Sequence, residues 1–410
     1  MKGIMKYFLL EQYNLVLIRY GEVWLKSQKV KIRMLKFLMS NIKNKLLQKG
    51  IPFHKYQLSK DSSRIFFFFD NKQISDALDV IHKTFGIHSY SPALRTSNKI
   101  ENITERTIEV AREILNKHDT FALRVKRSGR HEYSSLDVAR IVGKKIIDHF
   151  REYDLKVNLS NPDKKIFIEI RNDFSYIFTH IYDTPWGGLP IEPRKNILVM
   201  DIGRIEDILA GFLIMRRGSK IYPILFDMCD DDKKFESRLK NWRALLDYIP
   251  YKKFKIFRIR LTKIFNSVIS QLEKKEFTCA LCRLIRYEIM ALITESSKYK
   301  DLNAVRAITD GLNLNNSSFC TDMVDLCSIA LNYLFSNCPI FTPLVSFSDN
   351  QIKSLENKIS PQFMKFDYCK FKPLDQKFDL DLVKEIYINL AFEISLENIS
   401  PLIEEININW

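Results

Sequence analysis

NILVMDIGRIEDILAGFLIMRRG, residues 196–218, decides how the second half of this chain is read. Ile197 to Met200 form an apolar run of strand length. Ile205, Ile208, Leu209 and Phe212 then recur three and four residues apart, the period of a helix face. A strand, a short loop and a helix in that order form the phosphate-binding end of nucleotide folds, where helix N-terminal amides meet an anion. The loop between them, Ile202-Gly203-Arg204, has one glycine and no hydroxyl, so the groups that usually admit and hold a phosphate are missing.

The pattern continues on the C-terminal side of this stretch. A strand at 220–227 (KIYPILFD), a helix at 236–248, a strand at 254–261 (FKIFRIRL) and longer helices follow. This alternation predicts a doubly wound α/β domain, with ligands beyond the carboxyl ends of the parallel strands. On the N-terminal side lies the turn-rich Thr184-Pro185-Trp186-Gly187-Gly188-Leu189-Pro190, where a domain boundary is placed. Before it come a strand at 14–20, a basic helix at 27–49, a strand at 64–70 and a helix around 73–85, an α+β unit of ferredoxin-like size. A second unit has a helix at 103–117, a strand at 121–127, a helix from Ser135 to Phe150, and strands at 165–172 and 176–183 that suggest a hairpin. The expected domains are 1–75, 76–183 and 184–410.

The 410 residues are 46% hydrophobic and 28% charged, which excludes a disordered chain. Against 49 acidic residues stand 64 Lys and Arg, a net charge of +15 that favours a polyanionic partner, nucleic acid first. A biased, Lys- and Ile-rich composition is the bland alternative. Seven cysteines without a secretory signal point to reduced thiols or a metal site in the cytoplasm rather than a disulfide framework. No apolar run reaches the ~18 residues of a membrane helix. Only 12 glycines are present, so those in loops carry more weight than usual.

Three stretches carry a resemblance: IRYGEVWLKSQKVKIRMLKFLMSNIKNKL (18–46), FALRVKRSGRHEYSSLDVARIVGKKI (121–146) and WGGLPI (186–191). They resemble the tRNA 4-thiouridine sulfurtransferases, and VKRSGRHEYSSLDVAR is similar to the core of that family's THUMP domain. The likeness extends through CALCRLIRYEIMALI (279–293), FTPLVSFSDNQI (341–352) and DYCKFKPLDQK (367–377). It implies an N-terminal ferredoxin-like domain, a THUMP domain and an adenine-nucleotide α-hydrolase domain of the PP-loop type. The rhodanese-like domain of some members is not expected here. The implied chemistry is tRNA binding, then ATP- and magnesium-dependent adenylation of a uridine oxygen that sulfur replaces.

In the THUMP-like stretch, Lys126, Arg127, Arg130 and His131 surround Gly129 after a strand, with Ser134 and Ser135 opening the next helix. Such a loop offers cations and amides to phosphates, or is a solvated loop with Ser135 as its N-cap. The resemblance favours RNA. Arg19, Lys26, Lys29 and Lys31 extend the basic track if they face solvent.

A PP-loop of this family reads Ser-Gly-Gly-x-Asp-Ser, and Ile202, Gly203, Arg204, Ile205, Glu206 and Asp207 fall on those six positions. Only Gly203 is retained. Asp207 puts a carboxylate where a phosphate would sit, and two unit charges ~5 Å apart at an effective dielectric of ~20 repel by roughly 3 kcal/mol. Magnesium offsets that if it lies between them, and Arg204 is a candidate phosphate contact. The later nucleotide segment, a Gly-Glu-x-x-Gly-Gln type in relatives, is Asp310-Gly311-Leu312-Asn313-Leu314-Asn315 here, with Thr309 before it and Ser318 after it retained. Gly311 and Asn315 are its candidate contacts.

Cys279 and Cys282 sit one helical turn apart, a spacing that suits a shared metal or two core residues. By the resemblance Cys369 is the functional sulfur-handling cysteine, or the third ligand of an iron–sulfur cluster with Cys279 and Cys282. Such a cluster would bind sulfide, so the donor is expected to be external, sulfide or a sulfur-carrying protein. Cys229, Cys320, Cys327 and Cys338 read as core.

Two functions follow. One is a tRNA-binding sulfurtransferase that forms 4-thiouridine through ATP-dependent adenylation. The other is a non-catalytic tRNA-binding relic whose nucleotide loop has degraded. A THUMP methyltransferase is more distant, because no glycine-rich strand-end loop is present for its cofactor. Either main reading admits a homodimer.

Overall fold

The computed structural model describes residues 7–295, 302, 305–314, 328–334, 336, 338–366, 369–375, 377–390 and 394–409. The chain divides into two compact units, 1–189 and 190–410.

The first unit is built on one continuous sheet. Its elements are β1 (Leu15–Tyr20), α1 (Gln28–Gln48), β2 (Lys55–Leu58), β3 (Ile65–Phe68), α2 (Asn71–His82), β4 (Ile87–Ser97), α3 (Ile100–Ile114), β5 (Thr120–Ser128), α4 (Ser135–His149), β6 (Lys156–Val157), β7 (Lys164–Arg171), β8 (Phe174–Phe178) and β9 (Tyr182–Asp183). The strand order is β2-β3-β1-β4-β8-β7-β5-β6, with β9 added on β4. Helix α2 runs across position 75, and β4 joins the two halves. Its first residues pair with β1, from Ile87 opposite Tyr20 to Ala93 opposite Leu15. Leu94 to Ser97 pair with β8.

Period-two alternation explains why the middle of this sheet is apolar on both faces. Val16, Ile18, Phe67 and Ile177 join the large helix-covered core. Leu15, Leu17, Phe66, Phe68, Tyr176 and Phe178 form a separate cluster on the other face. The hairpin expected at 165–183 is shorter than its sequence suggests, with β7 turning into β8 at Asn172, which has φ of 48°. Beyond Phe178 the chain leaves β8, and Tyr182–Asp183 pair with β4 instead.

The second unit has β10 (Glu192–Asp201), α5 (Ile205–Arg216), β11 (Ser219–Asp227), α6 (Asp232–Arg243), β12 (Phe254–Arg260), α7 (Thr262–Gln271), α8 (Thr278–Glu295), β13 (Val305–Thr309), β14 (Ile340–Phe341), α9 (Asp349–Ile359), α10 (Leu380–Ile388) and, after a short helical turn, β15 (Ile403–Ile408). The order is β14-β13-β10-β11-β12-β15. All pairs are parallel except β12 with β15. Consecutive strands β10 and β11 lie side by side, while β13 returns to the other flank of β10. The order therefore reverses at β10, the place where such sheets open a crevice at their carboxyl ends. No described helix is long and apolar enough to cross a membrane.

Candidate functional site

The crevice of the second unit is shaped by the quoted stretch. Residue 201 ends β10, residues 202–204 turn, and α5 begins at Ile205. Asp207 is fully buried, and its carboxylate gathers the loop around itself. Oδ2 accepts the amides of Ile202 at 3.0 Å and Arg204 at 3.4 Å. Oδ1 accepts Nη2 of Arg204 at 2.6 Å and the amide of Gly311 at 3.2 Å. The remaining loop amide, of Gly203, donates to Asp201 Oδ1 at 2.5 Å. The amides of Ile202, Gly203, Arg204 and Gly311 are thus all taken by the chain's own carboxylates. The guanidinium of Arg204, expected as a phosphate contact, is instead the counter-ion of Asp207.

The second nucleotide segment closes on the same point. Gly311 packs so tightly against α5 that a Cβ there would lie 2.4 Å from the carbonyl carbon of Glu206 and 2.5 Å from the amide nitrogen of Asp207. Thr309 Oγ1 donates to the Phe341 carbonyl at 2.8 Å, and Asn313 Nδ2 donates to the carbonyls of Leu344 and Phe347, both at 2.7 Å. Under it, Tyr287 donates to Asp310 Oδ2. Burial pushes the Asp310 carboxyl above its usual range. Asn315 and Ser318 lie outside the described residues.

Beside this sealed loop is a cavity of about 270 Å³, at the small end of the range for ligand sites. Ile202 and Gly203 line it on one side, with Asp227, the last residue of β11, and Met228 and Cys229 after it. Phe226, Phe235 and Phe366 supply apolar surface, and Lys234, Arg238, Arg286 and Lys365 supply cations. Asp227, the one acidic residue of the lining among the described residues, is paired with buried Arg258, whose Nε lies 2.9 Å from Oδ2. Arg238 reaches from α6 across two strand ends, donating to the carbonyls of Phe226 at 2.8 Å and Asp201 at 3.0 Å, and to Asp201 Oδ1 at 2.9 Å. Trp242, one turn further along α6, donates to the other oxygen of Asp201 at 2.6 Å. Asp201, Arg238 and Trp242 escaped the sequence reading, because a strand-end carboxylate and two helix residues around 40 positions later carry no spacing signal.

The thiols are regrouped. Cys282 and Cys369 border the cavity, and Cys279 is not part of its lining. Among the described residues, no group of three or more His, Cys, Asp or Glu side chains is placed to hold a metal ion. Cys229, read from the sequence as core, lines the cavity and is half-buried. Burial and neighbouring Asp227 push its thiol up. Cys338 donates to Thr294 Oγ1 at 3.2 Å. Cys320 and Cys327 lie outside the described residues.

In the first unit, Lys126, Arg127 and Arg130 are exposed on and after β5, as is Lys26 before α1. His131 is half-buried, its Nε2 at 3.2 Å from the Ser128 carbonyl and its ring stacked on Tyr133. The helix that follows is capped by Ser134, not Ser135: Ser134 Oγ accepts the Asp137 amide at 3.1 Å, and Asp137 Oδ2 accepts the Ser134 amide at 2.8 Å. This reciprocal box fixes the loop's exit.

Two expected surface cations turn inward. Arg19 is only 14% exposed and pairs with buried Glu169 at 3.5 Å, while Lys31 is buried with its ammonium 3.7 Å from the Trp24 ring. Arg64 and Arg171 also surround Glu169. Burial raises the Glu169 carboxyl, but the three guanidinium groups outweigh it and hold the group below its usual range. On the same sheet face, Arg124, Lys126 and Lys165 ring a cavity of about 260 Å³ that also touches Arg19, Phe167 and Phe178.

Comparison with known proteins agrees in all three parts of the chain. Residues 15–91 match the ThiI ferredoxin-like domain, 97–180 the THUMP domain and 195–373 the family described as thiamine biosynthesis protein (ThiI). A probable tRNA sulfurtransferase of Saccharolobus solfataricus is 30% identical over 334 residues, 80% of this chain and 85% of the relative. Another, of Methanothermobacter thermautotrophicus, is 28% identical over 354 residues, 85% of each chain. The fold matches that of a 4-thiouridine synthetase solved with RNA and ATP, with a TM-score of 0.77 at 19% identity, covering 97% of this chain and all of the other. A protein of Pyrococcus horikoshii matches with a TM-score of 0.62 at 23% identity, covering 84% of this chain and 99% of that one. The chain therefore belongs to the tRNA sulfurtransferase family.

Proposed function

We propose that this chain is an enzyme that binds tRNA through residues 1–183 and converts a tRNA uridine to 4-thiouridine in the domain that follows. ATP adenylates the uridine oxygen and releases pyrophosphate; a sulfur nucleophile then forms the C–S bond as AMP leaves with the oxygen. The observation that carries this reading is the cavity beyond the carboxyl ends of β10 and β11, where Cys369 and Cys282 share one wall-to-wall space with the loop after β10 and with four cationic side chains. Cations there stabilise the charge that develops on phosphate during adenylation. The apolar surface of Phe226, Phe235 and Phe366 excludes water from an activated uridine that water would otherwise hydrolyse.

Cys369 is assigned as the thiol that takes the sulfane sulfur of a donor persulfide by exchange, releasing the donor's thiol, and Cys282 as the thiol that breaks the S–S bond after the C–S bond has formed, leaving a Cys282–Cys369 disulfide that an external thiol reduces. The sulfur comes from an external donor in the cytoplasm: a sulfur-carrying protein with a persulfide charges Cys369, whereas free sulfide attacks the adenylated carbon directly as AMP leaves. An iron–sulfur cluster would require Cys279 to join the other two cysteines, and no step is assigned to it. Magnesium would arrive with the ATP phosphates, and Asp201 and Asp227 are already engaged by arginines. Arg127 and Arg130, with Lys26 and Lys126, are assigned to the tRNA backbone, where phosphate contacts set affinity.

The test is the 4-thiouridine content of tRNA, measured by mass spectrometry in cells lacking the protein and in cells complemented with wild-type or Cys369→Ala protein. Restoration by the wild type alone is expected. Normal 4-thiouridine in the deletion strain refutes the reading.

A further inference from the structure

Phosphates are one half of what an RNA offers a protein; the flat faces of its unpaired bases are the other, and an aromatic ring that solvent can reach is what holds them. In the first unit that ring is Trp24, which is 57% exposed, with Leu25 beside it 83% exposed. Both lie on the short helical turn Glu22–Leu25 between β1 and α1. The turn is pinned by its backbone: the Trp24 amide donates to the Gly21 carbonyl at 3.0 Å, and the Gly21 amide to the Gly86 carbonyl at 3.4 Å. The indole is held as well. The buried ammonium of Lys31 lies 3.7 Å from its centre, and the Tyr20 ring stands 6.2 Å away. One face of the ring is thus occupied by the protein's own cation, and the exposed area belongs to the rest.

The charges around this surface identify what covers it. Helix α1, which supplies Lys31 from its first turns, contains lysines and an arginine but no Asp or Glu. Lys29, Arg33 and Lys36 are exposed and recur four and three residues apart, so they form one stripe along the helix. Among the described residues, neither they nor exposed Lys26 has an ion-pair partner. The platform is also tied to the basic loop after β5. Tyr20, the last residue of β1, donates to the Ser62 carbonyl, and neighbouring Asp61 accepts Ser128 Oγ at 2.9 Å and Arg171 Nη1 at 2.7 Å. Ser128 ends β5 and leads into Gly129 and Arg130. Trp24 therefore sits on the same edge of the sheet as Arg127 and Arg130. A partner that brings both negative charge and flat apolar faces to that edge is RNA.

Resting on the tRNA-binding reading above, we infer that Trp24 is a stacking platform for an unpaired base of the bound RNA, with Lys26 and Lys29 on the phosphates beside that base. The base packs on the side of the indole away from Lys31, whose ammonium keeps the ring from turning. Because every base has a π-face, the platform selects an unpaired nucleotide without selecting its identity.

The probe is an unmodified tRNA transcript, titrated into the full-length protein at several salt concentrations. Trp24→Leu, which stays apolar but has no ring, is expected to weaken binding about fivefold or more. The slope of log affinity against log salt is expected to stay as in the wild type, since no phosphate contact is lost, whereas Lys26→Ala lowers that slope by about one unit. Trp24→Phe keeps a stacking face and is expected to bind within about twofold of wild type. Fluorescence gives a reading that does not depend on the leucine variant folding. Trp186 and Trp242 are buried, so tRNA is expected to quench the wild type and to lose most of that quenching in Trp24→Phe. The inference is overturned by a leucine variant that binds like the wild type, by a phenylalanine variant as weak as the leucine one, or by equal quenching in wild type and Trp24→Phe. It is overturned too if Trp24→Leu binds tRNA normally but thiolates it poorly with a sulfur-carrying protein and well with sulfide, which gives the surface to that protein. The 4-thiouridine assay separates the two readings. Thiolated tRNA with any of those results defeats the platform alone, whereas absent thiolation with Trp24-dependent tRNA binding defeats only the sulfurtransferase reading.

Discussion

Replacing Gly311 with alanine tests the closure of the two loops directly. In most loops this change stabilises a protein by about 0.4–1 kcal/mol, because alanine restricts the unfolded chain. Here the added Cβ would lie 2.4 Å from the Glu206 carbonyl carbon, 2.5 Å from the Asp207 nitrogen and 2.6 Å from Asp207 Oδ1. Two of those three atoms belong to the backbone of the first turn of α5, which cannot swing aside like a flexible side chain. Overpacking of this kind costs about 1–3 kcal/mol. Moving the 310–313 loop away to relieve it breaks the Gly311 amide's bond to a buried carboxylate, worth roughly 1–3 kcal/mol more. The sum, about 2–6 kcal/mol, reverses the sign of the usual effect. For a unit of this size each kcal/mol moves the midpoint by about 2–4 °C, so the transition of the second unit is expected to fall by roughly 4–24 °C. Differential scanning calorimetry of the full chain reads this, with the first unit's transition as an internal reference. An unchanged or raised midpoint would show that the loops do not close on one another as described.

Cys369→Ala is expected to abolish 4-thiouridine formation and Cys282→Ala to reduce it at least tenfold, whereas Cys279→Ala retains most activity. An equal requirement for Cys279, with iron and sulfide in anaerobically purified protein, would restore the three-thiol ligand set. Changing both Arg127 and Arg130 to alanine is expected to weaken tRNA binding and flatten its salt dependence, by roughly one unit of slope for each phosphate no longer neutralised. Undiminished binding in filter assays moves the RNA face elsewhere. Glu169→Gln leaves three guanidinium groups around a neutral amide, and the first unit is expected to lose about 3–5 kcal/mol in chemical denaturation. Since the folded state holds this carboxyl below its ordinary value, its contribution is present at neutral pH and lost as pH falls through the acid range. Glu288 has the opposite sign. It accepts a hydrogen bond from Tyr387, and burial pushes its carboxyl from 4.5 up to about 7. The folded state therefore favours the protonated form, and its stabilisation is lost as pH rises from 4.5 through about 7. Melting curves across that range are expected to be flatter for Glu288→Gln than for the wild type.

Much of the fold was legible because burial has a period. The Ile197–Met200 run, the i, i+3, i+4 spacing of α5 and the alternation in β7 each report a face that must be covered, and each formed the element its period implies. The candidate site was legible only where side chains act near their own position in the chain. The carboxylate of Asp207 at a helix start was readable as an intruder among phosphate ligands. Its partnership with Gly311, 104 residues away, was not, because a backbone contact leaves no pattern in the sequence. Arg19 and Lys31 misled for the complementary reason. A cation in a basic stretch reads as solvent-facing unless its buried partner is known, and Glu169 lies 150 residues from Arg19. Cys229 was missed because an isolated cysteine gives no spacing to read. It shares the cavity with Cys282 and Cys369, thiols 53 and 140 positions further along the chain.

Strand β4 has a consequence for how RNA is measured. Its eleven residues hydrogen-bond to β1 at one end and to β8 at the other, so no flexible tether separates the ferredoxin-like half from the THUMP half. Bending this strand would break ladder bonds on one side or the other. Lys26, close after β1, and Arg127, on β5, are therefore carried by a single stiff ruler. An RNA that touches both must present phosphates at a spacing the protein has already fixed. Selectivity would then come from the length and curvature of a helical stem rather than from its base sequence. A stem shortened by a few base pairs would leave one of the two cations facing water, because no moving domain can follow the displaced phosphate.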